Sequence, residues 1–119
     1  MCNYWVVGKR WNDEDQGNRF YNLGKWEMGW AENDNPKYDN KIKQIKAGDR
    51  IAIKHMDGQG QTTITIVALG IVKGIEDNIV YVNWIETGLN RKVESKGCFG
   101  TIHGPYNYDD KWTKEVFCL

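Results

Sequence analysis

The stretch Gln61 to Lys73, QTTITIVALGIVK, constrains the fold more than any other part of the chain. It opens with a clean Thr/Ile alternation, the period of a half-buried strand, and from Ile66 onward it is apolar on both faces. It reads as the longest strand of the protein. Gly70 inside it predicts a bulge or bend, as a strand curling into a barrel requires. Glu76-Asp77-Asn78 then turns the chain into Ile79 to Ile85, where Val80, Val82 and Trp84 share one face. Successive antiparallel strands with a bend point favour a small barrel over a flat sheet.

The flanking segments fit that frame. Tyr4 to Gly8, YWVVG, reads as a first strand, and Arg50 to Lys54, RIAIK, alternates with Ile51 and Ile53 on one side. Asp57-Gly58-Gln59-Gly60 is a hairpin-type turn. Tyr38 to Lys46 reads as a short helix with Tyr38, Ile42 and Ile45 on one face, between turn chemistry at 31–37 and a stop at Ala47-Gly48-Asp49. A second helical turn is expected near Asn18 to Leu23. Thr87 to Gly97 is polar and basic and reads as a surface loop; Cys98 to Ile102 reads as a fifth strand and Val116 to Leu119 as a last short one. The expected fold is α+β: a partly open, mostly antiparallel β-barrel of five or six strands, flanked by one to three short helices. All 119 residues form one domain, 1–119, which is large enough for a core without disulfides.

Composition removes several function classes. Lys plus Arg balance Asp plus Glu at 16 each, so bulk charge alone does not hold this chain on nucleic acid, although a local basic patch can. Cys2, Cys98 and Cys118 fit no zinc or redox spacing and are expected to be free thiols in a reducing cytoplasm. No metal or other cofactor is expected. No stretch approaches the ~20 apolar residues of a spanning helix, and the first residues do not read as a signal peptide, so no membrane partner is expected. A phosphate loop is missing, and Ser95, the only serine, leaves no serine triad. Cys98 and His103, as nucleophile and base, sit poorly for that on or near one strand. Asp13, Glu14 and Asp15 cluster, but adjacent loop carboxylates are usually solvated.

Six tryptophans in so short a chain are several times normal usage. Three of them, Trp11, Trp26 and Trp30, fall between Lys9 and Trp30, mixed with charged groups at neither a helix nor a strand period. Irregular aromatic and polar mixing predicts a concave site on a loop, with a core-capping loop as the bland alternative. Within it, Trp11, Trp26 and Trp30 offer faces for a flat ring, each stacked base being worth ~1–3 kcal/mol. Asp15 or Gln16 could read the edge of that ring. Lys9, Arg10, Arg19, Lys41, Lys43 and Lys54 could meet phosphates. Trp5 and Trp84 belong to the core, and Phe20 and Tyr21 to the buried side of a helical turn beneath the pocket.

The order YWVVG (4–8), Trp11, Asp15-Gln16, Arg19-Phe20, Gly24-Lys25-Trp26-Glu27 and Gly29-Trp30 resembles the start of an EVE-type domain of the PUA-like superfamily. The likeness continues through Ile45 to Lys54, Ala68 to Val72 and Val80 to Trp84, and is closest to modules of McrB-type, modification-dependent restriction systems. The related YTH domains carry a Gly-x-Trp whose tryptophan walls an aromatic cage, and Gly24-Lys25-Trp26 matches it. By that motif Trp26 is the first base-binding residue. Lys9 and Arg10, just past the first strand, match where the family places polar contacts to base and backbone. Two stretches depart from the pattern: the hairpin at Met56 to Gln61 is shorter, and Glu94 to Tyr106 keeps the aromatic stretch only loosely. The resemblance implies a cytoplasmic, non-catalytic domain that reads a flipped, methylated base of DNA or RNA in an aromatic pocket. Its implied partners are nucleic acid and, in a defence system, a nuclease or NTPase effector. Two alternatives stand beside it. One is an ASCH-like enzyme on modified nucleosides or RNA, for which Lys9, Glu27 and Thr101 are conceivable groups. The other is a module for a ligand other than nucleic acid.

Overall fold

A computed structural model describes residues 2–11, 14–29 and 36–118. The first strand, β1 (Tyr4–Val7), leads into a two-stranded ribbon of β2 (Arg10–Trp11) and β3 (Glu14–Asp15). Helix α1 (Gly17–Leu23), strand β4 (Lys25–Glu27) and helix α2 (Pro36–Ile42) follow. The rest is β5 (Arg50–Met56), β6 (Thr63–Glu76), β7 (Ile79–Glu94), β8 (Ile102–Tyr106) and helix α3 (Lys111–Phe117). The sheet runs β4-β7-β6-β5-β1-β8 and curls into a half-barrel. All its neighbours are antiparallel except β1 and β5, which run parallel with Val7 opposite Ile53. Among the described residues no helix is long and apolar enough to cross a membrane.

Both faces of the curled sheet are covered, which is why its central strands read as continuous apolar runs. Trp5, Val7, Ile51, Ile53, Val80 and Val82 point to one side, where Phe20 of α1 and Ile42 of α2 complete the core. Tyr4, Val6, Ala52, Ile64 and Ile66 point to the other, under Trp112, Val116 and Phe117 of α3. The curl comes from register shifts in the β6–β7 pair, one of them between Leu69 and Gly70. A Cβ at Gly70 would lie 2.4 Å from Val82 Cγ1 and 2.9 Å from Trp84 Cε3, so any side chain at this bend must push its neighbours aside. One carboxylate ties the ends of three segments: buried Asp49 accepts from Trp5 Nε1 (2.9 Å), Asn3 N (3.0 Å) and Lys46 N (3.0 Å).

The structure corrects five expectations. Thr87 to Glu94 is not a loop but the second half of β7, which at 16 residues, against 14 for β6, is the longest strand. Its polarity misled because one face is open to water, while Leu89, Arg91 and Val93 alternate inward. Residues 98–101 form a turn rather than a strand, and the strand begins at Ile102. Val116 and Phe117 end helix α3, whose N-cap Asp110 accepts from Trp112 N at 2.9 Å. Trp112, Thr113, Val116 and Phe117 form its buried stripe, a helical spacing that the four apolar-rich last residues concealed. Helix α2 stops at Ile42, four residues before its expected end, where tighter bonds from Gln44 N to Lys41 O and from Ile45 N to Ile42 O take over. The turn expected at 31–37 falls, up to residue 35, outside the described residues, as do Asp13 of the acidic cluster and Leu119.

Candidate functional site

A cleft of about 730 Å³ opens where the parallel strands β1 and β5 end. Its size is within the ~300–1,000 Å³ usual for ligand pockets. Gly8 to Trp11 form one wall as the chain leaves β1, and Lys54 to Met56, the last residues of β5, form another. Trp26 and Glu27 of β4, with Gly29, add a third side, and Tyr38 of α2 with Phe99 to Thr101 close the fourth. The turn at 99–101 is pinned in place: Gly8 N donates to Thr101 O (2.9 Å), Thr101 N to Tyr38 Oη (3.1 Å) and Gly100 N to His103 Nε2 (2.9 Å).

The tryptophans divide by depth. Trp26 is fully buried and donates from Nε1 to Gly8 O at 2.7 Å, so its indole is the fixed inner wall of the cleft. Trp11 is half-buried, with its Nε1 3.4 Å from Glu27 O and the Arg19 guanidinium 4.9 Å over its ring. Phe20, completely buried, lies edge-on to Trp11 at 6.0 Å and tilted to Trp26 at 6.4 Å, and so supports both from beneath. Gly29 leaves room for Trp11, since a Cβ there would stand 2.5 Å from its Cδ1. Trp30 lies outside the described residues. Trp5 is buried as expected, and Trp84 is half-buried, donating from Nε1 to Phe20 O at 3.1 Å.

The charged groups also sort themselves. Lys9 lines the cleft and is ion-paired with Asp15. Burial opposes ionisation of Asp15, but the Lys9 ammonium and the Gly17 N–H outweigh it and hold the carboxyl below its ordinary range. Asp15 and Gln16 lie beside the cleft rather than in its lining; Gln16 N donates to Lys9 O at 2.7 Å and its residue caps α1. Arg10 lines the cleft and is exposed. Arg19 is exposed and reaches Glu27 at 3.5 Å, which is also paired with Lys25. Lys41 donates to Gly104 O at 2.7 Å, tying α2 to β8, and Lys43 is exposed outside the lining.

Lys54 departs most from its expected role. It is 4% exposed, too deep for a surface phosphate contact, and no hydrogen bond or ion pair joins its Nζ to another described residue. Burial pushes its ammonium down to about 8, with only the Cys98 thiol acting the other way. His103 is held neutral, at about 4, by its own burial and then by the Lys54 charge. Burial pushes the Cys98 thiol up, and His103 Nε2 is occupied by Gly100 N–H, the opposite of an activated thiol-imidazole pair.

Sequence reasoning missed Tyr38, His55, Met56, Phe99 and Gly100 in the lining. Tyr38 reads as part of the buried face of a helix, and it is indeed only 9% exposed. Phe99 had a local signal, a large aromatic between two glycine-containing pairs, and it stands 52% exposed at the cleft. Among the described residues no group of three His, Cys, Asp or Glu side chains converges as a metal site needs. No protein-family model matches the sequence, and no curated protein matches it.

Proposed function

We propose that this chain is a non-catalytic PUA-like domain of the EVE type, which binds nucleic acid and takes a flipped, modified base into the cleft. The observation that carries this reading is the joining in one cleft of half-buried Trp11, exposed Phe99 and buried Trp26 with the cationic groups of Lys9, Arg10 and Lys54. Flipping costs a few kcal/mol, which stacking and edge contacts in a closed pocket offset. With zero net charge, a few rim cations supply the salt-dependent part, and the base supplies selectivity. Within a modification-dependent defence system, such a module would direct a nuclease or NTPase effector.

The test titrates labelled single strands that differ at one base, cytosine, uracil, adenine or hypoxanthine, methylated or not, against the whole chain. The expected result is a preference for a modified strand that Trp11→Ala reduces at least ~5-fold, given a stacking worth of about 1–3 kcal/mol. Trp11 is the better probe than Trp26, whose removal would also hollow the core. Equal affinity for every strand, unmoved by Trp11→Ala, would refute the reading.

One observation favours a second reading, a small ASCH-like hydrolase on modified nucleosides: Lys9, Glu27 and Thr101 all line the cleft. Against it, Lys9 and Glu27 are already committed to ion pairs. Turnover of acetylated cytidine, abolished by Lys9→Ala, would replace the reader with this enzyme.

A further inference from the structure

Lys54 is the most deeply buried charged group of the cleft lining, and nothing in the described protein accepts from it. Its Nζ is not among the sealed, unsatisfied polar atoms of the protein: it faces the cleft, so its N–H groups are left for water or for a ligand that enters there. An ammonium is also a donor only, with three N–H groups and no lone pair. A ring that enters this cleft from a strand leaves its sugar and phosphates outside, near exposed Arg10. It therefore turns its far edge inward, position 4 of a pyrimidine or position 6 of a purine. There the bases differ in sign: uracil, thymine, guanine and hypoxanthine carry a carbonyl acceptor, whereas cytosine and adenine carry an amino donor.

We infer that Lys54 makes the cleft selective for keto bases, donating to the inward carbonyl of a uracil-, thymine- or guanine-type ring and rejecting the corresponding amino ring. This rests on the reading of the cleft as a base pocket, and it narrows the ligand to a chemical class. Nearby groups do not reverse the sign. His103 spends its Nε2 on Gly100 N–H, Lys9 is another donor, and the Glu27 carboxylate is satisfied by Arg19 and Lys25.

The selectivity carries its own pH signature. Between pH 7 and 9 the cleft loses the Lys54 charge, because its ammonium titrates at about 8. The titratable groups around it are Cys98 and His103 from the segment leading into and along β8, His55 on β5, Lys9 after β1, Glu27 on β4 and Tyr38 on α2. Cys98 is pushed up by burial, while His103 and His55 are pushed down by it, so all three stay neutral through most of this window. A neutral amine offers a lone pair, so an amino ring becomes acceptable as pH rises past 8 and the keto preference shrinks.

The experiment compares strands that differ at one base only, hypoxanthine against adenine and uracil against cytosine, each with and without a ring methyl, on the full chain at pH 7 and pH 9. The expected result at pH 7 is a keto preference of at least ~10-fold, as one well-made base contact supports. It should fall several-fold at pH 9 and vanish in Lys54→Met, which keeps the length and volume but has no donor. The pH arm uses unaltered protein, so it holds even if the variant folds poorly. A keto-to-amino ratio near one, or a ratio that Lys54→Met and pH both leave unchanged, overturns the inference while a methyl preference keeps the base-pocket reading intact. If no strand shows any base-dependent affinity, the base-pocket reading itself has failed and this inference falls with it.

Discussion

At the scale of single residues, the burial of polar groups sets most of what can be tested. Asp49 is 4% exposed and holds three N–H donors from the β1 entry, Trp5 and the tail of α2. Asp49→Ala leaves those donors without an acceptor and should cost about 3 kcal/mol, read as a drop in the urea midpoint. A loss below about 1 kcal/mol would mean that the segment ends are held by packing instead. His103 gives a pH-dependent term of known sign. Its burial and the Lys54 charge lower its pKa from 6.5 to about 4, so the unfolded chain binds a proton that the folded one refuses. The stability it supplies is complete above pH 6.5 and is lost as pH falls from there through 4. His103→Gln keeps an acceptor for Gly100 N–H and should flatten the urea midpoint between pH 6.5 and 4. An unchanged slope would assign the acid sensitivity to other groups.

At the scale of elements, the long β6–β7 hairpin is the scaffold, and its bend at Gly70 aims everything else. Gly70→Ala would place a Cβ 2.4 Å from Val82 Cγ1, in a sheet packed on both faces, and should cost about 2 kcal/mol. A thermal melt within about a degree of the parent would show that the hairpin absorbs the methyl by shifting register. The same hairpin fastens α3: Arg91 Nη1 donates to Val116 O at 2.6 Å, and Trp112 Nε1 donates to Glu94 O at 2.8 Å. That is why the polar second half of β7 is a strand. Its exposed face carries the charges that read as a loop, and its inward positions anchor a helix. Helix α3 was legible in principle, from Asp110 as an N-cap before Trp112 and Val116 four residues apart. Val116 to Leu119 taken alone are too few to show a helical period, so they suggest a strand.

At the scale of the whole molecule, a chain of zero net charge must place its few useful cations well. Arg10 is exposed at the cleft, whereas Lys43 is exposed away from its lining. On the proposed function, Arg10→Ala should lower the slope of log affinity against log salt by about 0.7, one phosphate contact on a single strand, and Lys43→Ala should leave it unchanged. Equal effects of the two would disperse the binding surface over the protein. Alternation, bend residues and turn chemistry determined the antiparallel strands, the curl at Gly70 and the two helical segments before residue 50, because those are local periodicities. The aromatic stretch from Lys9 to Trp30 likewise announced a concave region. Depth was decided only by the tertiary structure. Trp26 became a buried inner wall and Trp11 a half-open one because Phe20 and the β4 pairing set them at different heights. Phe99 and Tyr38 joined them from distant segments through the hydrogen bonds that pin the 99–101 turn. Lys54, one cation among many along the chain, was carried by β5 into the lining of the cleft, where no carboxylate of the described residues pairs with it. A sequence lists the donors and the rings, but only the packing fixes which of them face each other across a cleft.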